Sequence, residues 1–244
     1  MRAFVGTSGW QYADWRGGFY PEGMATGGWL ERYARVFPTV EVNATFYRLP
    51  RRETVERWAM TVPKGFVLTL KASRYVTHIR RLRDCREPIE RMRSAFWGAG
   101  PHLGPVLFQL PPTFEADAEL LRSFLAELPP GMRAAFEFRH PSWFEGPVPD
   151  LMEERGVALV HADRPGTRVE VPAVGGWSYL RFHQGRPDSP GYRRSKLADY
   201  ADALVDVRPR EVFAYFNNDT GGAAPEDAQT FMELLADRRV ELAA

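Results

Sequence analysis

The sequence predicts one α/β domain with a TIM-barrel-like (β/α)8 fold and an irregular connection between strands 6 and 7. Two observations support this prediction: short apolar runs alternate with amphipathic helical patterns along the whole chain, and no low-complexity linker interrupts them. Eight such strands within 244 residues match the usual size of a (β/α)8 barrel. We therefore expect a single domain over residues 1–244.

A doubly wound open sheet is the competing architecture. Nucleotide-binding versions of that fold carry G-x-G-x-x-G or G-x-x-x-x-G-K-[ST] after the first strand. The segment GTSGW of this chain has glycines, but it has neither that spacing nor a following helical pattern. The barrel is therefore the favoured prediction.

The strand predictions depend on short runs of β-branched, aromatic and other apolar residues. They cover Ala3–Thr7, Thr39–Asn43, Val67–Lys71, Pro105–Gln109, Ala134–Phe138, Val157–His161, Ser178–Phe182 and Val212–Phe216. Between them, apolar residues at three- and four-residue spacings predict seven helices. These cover Gly28–Val36, Glu53–Thr61, Pro88–Trp97, Ala116–Glu127, Val148–Arg155, Ser195–Val205 and Pro225–Arg238.

No helix is predicted between the sixth and seventh strands. There Arg164–Gly176 reads RPGTRVEVPAVGG, in which turn residues flank a short alternating segment, so a loop or a β-hairpin is expected. Two other connections, Trp10–Gly27 and Arg139–Pro149, are long and aromatic. Both follow strands, and in a parallel barrel they would form walls or lids of the catalytic face.

Composition excludes several classes of function. The 32 Lys and Arg residues balance 31 Asp and Glu residues, so the chain has no global basic field for nucleic acid or anionic membranes, and any anion site must be local. Cys85 is the single cysteine, which leaves no intrachain disulfide and suggests a reducing compartment. Neither a charged leader with an apolar core nor a run of ~18 apolar residues is found. We expect a cytoplasmic protein without a membrane partner.

Polar residues follow the predicted strands in pairs spaced i, i+2. The pairs are Glu41 and Asn43, Lys71 and Ser73, Glu137 and Arg139, His161 and Asp163, and Arg181 and His183, with Asn217, Asn218 and Asp219 after the last strand. Because side chains alternate between the faces of a strand, residues two apart project to the same side. In a parallel barrel these strand ends meet at one mouth, so the pattern predicts a functional site there.

Glu137 is the candidate general acid or base. It ends an apolar strand, so burial should raise its pKa unless Arg139 or Lys71 pairs with it. A buried, paired carboxylate suits proton transfer, although structural ion pairs have the same sequence pattern. His183 and His161 are the candidates to assist proton transfer.

The same residues include a possible site for a divalent metal. His161, His183, Glu137, Asp163 and Asp219 supply two imidazoles and three carboxylates, which form a suitable ligand set if they converge. No H-E-x-x-H motif is present, and a histidine at a strand end commonly caps a hydrogen-bond network instead. A divalent metal is therefore possible, and no cofactor is assigned.

Cations and amides at the mouth indicate a polar ligand. Lys71, Arg139 and Arg181 would suit a phosphate or carboxylate group, or they neutralise the carboxylates of the same strand ends. Asn43 and Asn217 would orient hydroxyl groups.

Aromatic residues gather on the loops of the same mouth. Tyr12, Tyr47 and Trp143 are expected to stack on a sugar or an unpaired base, with Arg48 interleaved among them, while most other loop aromatics are expected to pack.

Ordered motifs extend through the chain. They are GTSGW-x-Y-x-x-W-x-G-x-FYP at Gly6–Pro21, E-x-N-x-TFYRLP at Glu41–Pro50, TLKAS and TH within Thr69–His78, LGPVLFQLPP at Leu103–Pro112, FEFRHPSWF at Phe136–Phe144, YLRFH at Tyr179–His183 and YFNND with a following glycine and alanine at Tyr215–Ala224. In these motifs the chain resembles the YecE-like family, domain of unknown function number 72. Members commonly read RFHG where this chain reads RFHQG, with Gln184 inserted.

The resemblance implies a TIM-barrel-like fold with polar residues clustered at the strand ends, and it implies no established reaction. With the family motifs included, the candidate substrate-binding residues are Tyr12, Glu41, Asn43, Tyr47, Arg48, Lys71, His78, Gln109, Arg139, His140, Trp143, Asp163, Arg181, Asn217, Asn218 and Asp219.

Three hypotheses for function follow. The first is an enzyme, a hydrolase or lyase acting on a small phosphate- or sugar-bearing substrate, with acid/base chemistry at Glu137. The second is a noncatalytic module that binds single-stranded nucleic acid or a phosphorylated metabolite. The third is a scaffold whose mouth residues only satisfy one another. No oligomeric state is predicted.

Overall fold

A computed structural model, which describes residues 1–184, 186 and 189–243, confirms the barrel. Its eight barrel strands are β1 (Arg2–Thr7), β2 (Thr39–Val42), β3 (Val67–Lys71), β4 (Leu103–Gln109), β5 (Ala134–Glu137), β6 (Ala158–Asp163), β7 (Ser178–Phe182) and β8 (Glu211–Phe216). Every strand pairs in parallel with the next, β8 pairs with β1, and β1 pairs with β2, so the sheet closes. All strands therefore end at the same mouth.

The seven predicted helices are present, with one short addition. The helices are α1 (Trp29–Ala34), α2 (Ala44–Tyr47), α3 (Arg52–Thr61), α4 (Arg86–Phe96), α5 (Ala118–Glu127), α6 (Val148–Glu154), α7 (Arg194–Val207) and α8 (Ala223–Asp237). The sequence missed α2 because a four-residue helix is too short to show a periodic pattern. It also missed a single π-helical turn at Tyr75–Ile79, which follows β3 at the mouth.

The connection between β6 and β7 is irregular, as predicted. Residues 164–177 are all described, and their only helical element is one short 3-10 turn, at Val174–Gly176. The segment forms neither a crossover helix nor the alternative hairpin.

A ninth short strand, β9 (Glu241–Leu242), closes the bottom of the barrel next to β1. At that end β1 pairs with β9 through Arg2 and Ala3, and β1 reaches β2 only through Gly6 and Thr7. Gly6 permits this approach, because a Cβ there would lie 2.1 Å from the Thr39 carbonyl oxygen. Two residues are too few to show a strand pattern, so β9 was not predicted.

The core has two layers that follow from the alternation of each strand. Inward-facing residues fill the barrel from below, and they are Phe4, Leu107, Ala135, Ala158, Val160, Trp177, Tyr179, Phe213, Tyr215 and Ala243. Outward-facing residues pack against the helices in a larger cluster. Above the apolar floor, the Tyr215 hydroxyl hydrogen-bonds to Thr39 at 2.8 Å and Thr69 at 2.6 Å. The interior thus becomes more polar toward the mouth.

Candidate functional site

Ten inward-facing residues, which we call the mouth set, meet at the carboxyl ends of the strands. They are Ser8, Glu41, Asn43, Lys71, Gln109, Glu137, Arg139, Arg181, His183 and Asn217. Their hydrogen bonds and mutual electrostatic effects connect residues from different strands across the barrel. The predicted convergence of β2, β3, β5, β7 and β8 at one place is therefore seen.

Arg181 joins the two carboxylates of the mouth set. Its Nε and Nη2 donate to Glu41 at 3.0 and 2.7 Å, and its Nη1 donates to Glu137 at 2.5 Å. All three side chains are at most 1% exposed. The Ser8 and Tyr179 hydroxyls complete the shell of Glu41, each at 2.6 Å. Each nitrogen of the guanidinium thus donates to a carboxylate within the protein.

Glu137 has a second arginine partner. Arg139 Nε donates to its Oε1 at 2.9 Å, and Arg164 Nη2 lies 3.8 Å from the same oxygen. Burial alone would raise the pKa of Glu137, but Arg181 and the other positive groups lower it to about 2. Glu41 follows the same balance, and its pKa also lies below the usual range. Both carboxyl groups are therefore ionised at neutral pH.

Lys71 lies in the same mouth without a carboxylate partner among the described residues. Its Nζ donates to Gln109 Oε1 at 2.8 Å and lies 4.5 Å from the centre of the Phe46 ring. Burial, with a further contribution from Arg181, lowers the pKa of Lys71 to about 8.

A chain of side-chain hydrogen bonds crosses the mouth from β2 to β7. Asn43 Nδ2 donates to Asn217 Oδ1 at 3.3 Å, and Asn217 Nδ2 lies 3.0 Å from His183 Nδ1. The amide therefore donates to Nδ1, which puts the imidazole hydrogen on Nε2. Burial and Arg181 lower the pKa of His183 to about 3, so the ring is neutral. At the two ends of this chain, Asn43 Oδ1 and His183 Nε2 are buried without a hydrogen-bond partner among the described residues.

His161 and Asp163 are not part of the inward-facing mouth set, which corrects the prediction that they project into the barrel mouth. They lie on the outward face of β6, in register with Leu180 and Phe182. Asp163 accepts hydrogen bonds from the Tyr192 and Tyr200 hydroxyls and pairs with Lys196, and His161 Nε2 lies 2.7 Å from the Tyr200 hydroxyl. The inward positions of β6 are the apolar Val160 and Ala162.

The ligands of the possible metal site are separated by the same alternation. His161 and Asp163 face α7 outside the barrel, while Glu137 and His183 face inward. Within the described part of the chain, no group of three or more His, Cys, Asp or Glu side chains is arranged to hold a metal ion.

The residues after β8 also divide between the two faces. Asn218 points outward, and its Nδ2 donates to Asp227 at 2.7 Å and to the Pro190 carbonyl at 2.8 Å, so it fixes α8 rather than a ligand. Asp219 is half-buried, and burial and Asp14 raise its pKa. Its carboxylate acts electrostatically on Tyr12, whose hydroxyl donates to the Ser8 carbonyl at 2.6 Å. Tyr12 and Asp219 thus border the mouth.

Two residues predicted to bind a ligand have structural roles instead. Trp143 is 1% exposed, stacks on Phe138 at 4.6 Å between ring centres, and donates to the Phe114 carbonyl. His140 Nδ1 accepts from the Ser142 amide and caps the short helix Pro141–Phe144. Tyr47, by contrast, is 73% exposed, and Arg48 beside it is also exposed.

His78 lies on the π-helical turn next to Lys71. Its ring packs edge-on against Phe46 at 5.0 Å, and its Nδ1 lies 2.9 Å from the Thr77 hydroxyl. Burial and Lys71 lower its pKa. Single π-turns occur frequently at functional sites, and this one brings His78 to the mouth.

Sequence reasoning missed four residues of the site, namely Ser8, Phe46, Arg164 and Tyr179. Ser8 and Tyr179 were detectable, because they lie two residues from Gly6 and Arg181 on the inward face. Phe46 depends on α2, and Arg164 depends on the loop after β6. Arg164, Arg139 and Glu137 line a cavity of about 500 Å³ that opens at the ends of β5 and β6.

Gln184, the insertion in RFHQG, donates to the Arg186 carbonyl, and Gly185 lies outside the described residues.

Within residues 1–184, 186 and 189–243, no helix has the length and apolar character needed to cross a membrane.

Curated proteins of two kinds, YunF and YecE, resemble this chain in sequence. UPF0759 protein YunF of Bacillus subtilis is 28% identical over 272 residues, covering 95% of this chain and 94% of YunF. UPF0759 protein YecE of Escherichia coli K12 is 30% identical over 175 residues, covering 66% of this chain and 62% of YecE.

Solved structures resemble the chain in fold. A DUF72 family protein from Thermotoga maritima has a TM-score of 0.82 and 26% identity, covering 97% of this chain and all of the other. D-psicose 3-epimerase from Clostridium cellulolyticum has a TM-score of 0.56 and 13% identity, covering 98% of each chain, and this likeness shows the barrel fold alone. The model of DUF72, described as a protein of unknown function, matches residues 4–244. The chain therefore belongs to the DUF72 family, which includes YecE and YunF.

Proposed function

We propose that this protein is an enzyme, a hydrolase or lyase, that binds a small phosphate- or sugar-bearing substrate in the barrel mouth. One observation carries the proposal: the cations of the mouth outnumber the carboxylates that pair with them. Among the described residues, only Glu41 and Glu137 are in ion-pair contact with Arg139, Arg164 or Arg181, and Lys71 has no carboxylate partner. Asp163 is outside the barrel, and Glu170, which lines the cavity beside Arg164, forms no ion pair with these cations. The alternative in which these cations merely neutralise the strand-end carboxylates leaves more cations than paired carboxylates.

The unused donors of these cations support an anionic ligand. Arg181 directs Nε, Nη1 and Nη2 to carboxylates, so each of its nitrogens already has a partner. Arg139 uses only Nε, and within the described residues its Nη groups have no hydrogen-bond partner. A planar guanidinium with two free nitrogens suits bidentate binding of a phosphate or carboxylate group. Arg164 lines the same cavity and adds a second charge.

The ends of the asparagine–histidine chain support a hydroxyl group on the same ligand. Asn43 Oδ1 is an acceptor and His183 Nε2 is a donor, and both are buried without a partner among the described residues. Buried polar atoms of this kind are normally hydrogen-bonded. A sugar hydroxyl can donate to one and accept from another, so it matches both. His183, neutral at pH 7, would act as a hydrogen-bond donor that polarises the substrate.

The roles of the two other expected catalytic residues differ from the sequence hypothesis. Glu137 carries no proton at neutral pH and both of its oxygens accept from arginines. In the proposal it therefore orients Arg139 and Arg181. His161 borders the cavity, but its Nε2 is engaged with Tyr200, so it serves packing rather than proton transfer.

Titration calorimetry with inorganic phosphate tests the anion site. We expect the wild-type protein to bind phosphate and Arg139→Gln to bind it about tenfold or more weakly, since a charge-assisted hydrogen bond contributes about 1.5–3 kcal/mol. Arg122→Gln on α5, which changes the same charge on an exposed helix, should leave the dissociation constant unchanged. Equal affinity of wild type and Arg139→Gln would contradict the proposal.

The rim of the mouth favours a second candidate, a module that binds single-stranded nucleic acid. Exposed Tyr47 and Tyr75 accompany the exposed Arg48 and Arg80, and Arg80 lies 5.5 Å over the Tyr75 ring. Aromatic faces and arginines together suit unstacked bases. A labelled oligothymidine should then bind with an affinity that falls as salt rises, and Tyr47→Ala should weaken it. Binding by Tyr47→Ala equal to wild type, or insensitive to salt, would reject this candidate.

A further inference from the structure

We propose that Lys71 is a nucleophilic amine that forms an imine with a carbonyl carbon of the substrate. The inference rests on the proposed function, because it assigns covalent chemistry to the same mouth and narrows the substrate to an aldehyde or ketone that also carries an anionic group.

Lys71 differs from the other lysines of the chain in its surroundings. The sequence contains only three lysines, at positions 64, 71 and 196. Lys64 is exposed, and Lys196 pairs with Asp163 at 2.8 Å. Lys71 is 8% exposed, ends a barrel strand, and has only an amide oxygen as a hydrogen-bond partner among the described residues. A lysine buried without a paired carboxylate is held less firmly in its charged form.

The nearby carboxylates do not compensate for this lack of a partner. Glu41 and Glu137 act on Lys71 electrostatically, but both are bound to Arg181, which is itself a positive charge in the same mouth. The Phe46 ring covers the amine on one side at 4.5 Å. Desolvation and positive neighbours are the two conditions that activate lysine as a nucleophile.

The lowered pKa of about 8 gives this geometry a quantitative consequence. At pH 7.5 roughly a quarter of such amines are neutral, whereas an ordinary lysine with a pKa of about 10.4 is neutral in roughly one molecule per thousand. The reactive form at Lys71 is thus about 200 times more abundant than at an ordinary lysine.

The covalent step balances without an additional reactant. The lone pair of Nζ forms a bond to the carbonyl carbon, and the carbonyl π electrons move to oxygen, which takes up a proton. The amine gives up its two hydrogens overall, the oxygen leaves as water, and a C=N bond remains. When protonated, this imine accepts the electron pair released by breaking an adjacent C–C or C–H bond. Hydrolysis returns the carbonyl and the free lysine, which is consistent with a lyase.

Reductive trapping tests the proposal on the intact protein. The probes are pyridoxal 5′-phosphate and the smaller glyceraldehyde 3-phosphate, each an aldehyde with a phosphate group, followed by borohydride reduction and peptide mass spectrometry. We expect Lys71 to be labelled at least tenfold faster than Lys64, with a rate that rises with pH around a midpoint of about 8. Inorganic phosphate should suppress the labelling.

Two variants serve as matched controls. Lys71→Arg keeps the charge and removes the nucleophile, so it should lose the label. Lys64→Arg should keep the label at Lys71 and bind phosphate as the wild type does. Failure of both probes to label Lys71 faster than Lys64 in the wild type would overturn the inference, even if phosphate binds. A different outcome is that Lys71 is labelled, phosphate does not suppress the labelling, and calorimetry detects no phosphate binding. That outcome would overturn the proposed anion site and leave the nucleophile established.

Discussion

Replacing Arg181 by methionine tests the central ion network of the mouth. The substitution removes the guanidinium that joins Glu41 and Glu137 and leaves a side chain of similar length. Glu137 keeps Arg139 at 2.9 Å, but Glu41 keeps only the hydroxyls of Ser8 and Tyr179. Glu41 thus becomes a fully buried charge without a counter-ion.

The size of the effect follows from the cost of an unpaired buried charge. Removing one partner of a buried ion pair typically costs about 3–5 kcal/mol. At about 2.1 cal/mol/K per residue, the unfolding entropy of 244 residues is about 0.5 kcal/mol/K. The expected fall in melting temperature at pH 7.5 is therefore about 6–10 °C.

The pH dependence separates this explanation from a simple packing defect. In the wild type the pKa values of Glu41 and Glu137 are lowered, so their contribution to stability is complete above about pH 4.3 and is lost as the pH falls toward 2. In the variant, burial without Arg181 raises the pKa of Glu41, so stability is instead lost as the pH rises above about 4.3. The difference between the two proteins should be largest at neutral pH and smaller at pH 4.5.

Thermal unfolding followed by circular dichroism at pH 7.5 and 4.5 measures both effects. Arg122→Met on the exposed face of α5 is the matched control and should change the melting temperature by less than about 1 °C, since surface substitutions stay within about 0.5 kcal/mol. A fall of less than 2 °C for Arg181→Met, or a fall that is the same at both pH values, would refute the reasoning.

Three further substitutions test other parts of the structure. Glu137→Gln should lower the free energy of unfolding by about 3 kcal/mol at pH 7, because the pKa of Glu137, about 2, lies below the ordinary value. The loss should be clearly smaller at pH 3, and urea unfolding at the two pH values measures it. Asp163→Asn should lower the free energy of unfolding by about 1–3 kcal/mol and leave phosphate affinity unchanged, because Asp163 faces α7. Weaker phosphate binding in calorimetry would place Asp163 in the site. Gly6→Ala should separate β1 from β2 and lower the free energy of unfolding by more than about 3 kcal/mol. Gly27→Ala should be nearly neutral, because a Cβ at Gly27 has no neighbour within 4 Å. Equal melting temperatures for the two variants would contradict the close approach of β1 to β2.

Much of the fold could be predicted because its signals are local. The alternation of apolar strands and amphipathic helices identified eight strands, seven helices and the irregular connection before β7. The i, i+2 spacing also identified Glu41, Asn43, Arg181 and His183 as residues of one mouth, because the alternation of side chains is a property of the strand itself. The short elements α2 and β9 lacked enough residues to show any periodicity.

The sequence does not show on which face of its strand each polar pair lies, and β6 illustrates the reason. In its sequence ALVHAD one phase is apolar and the other contains His161 and Asp163, but both phases are buried or half-buried, so the strand alone does not show which phase points inward. Closure of the barrel decides this, since register with β7 places them beside Leu180 and Phe182.

The partners of the mouth residues were likewise beyond the sequence. Glu137 is held by Arg181, which lies 44 positions away, as well as by the neighbouring Arg139 that the spacing suggested. The sequence by itself therefore determined the barrel and most residues that its mouth contains. The tertiary structure alone decided which of them are neutralised and which, like Lys71, have no carboxylate partner among the described residues, because that depends on distances between strands that are remote in the chain.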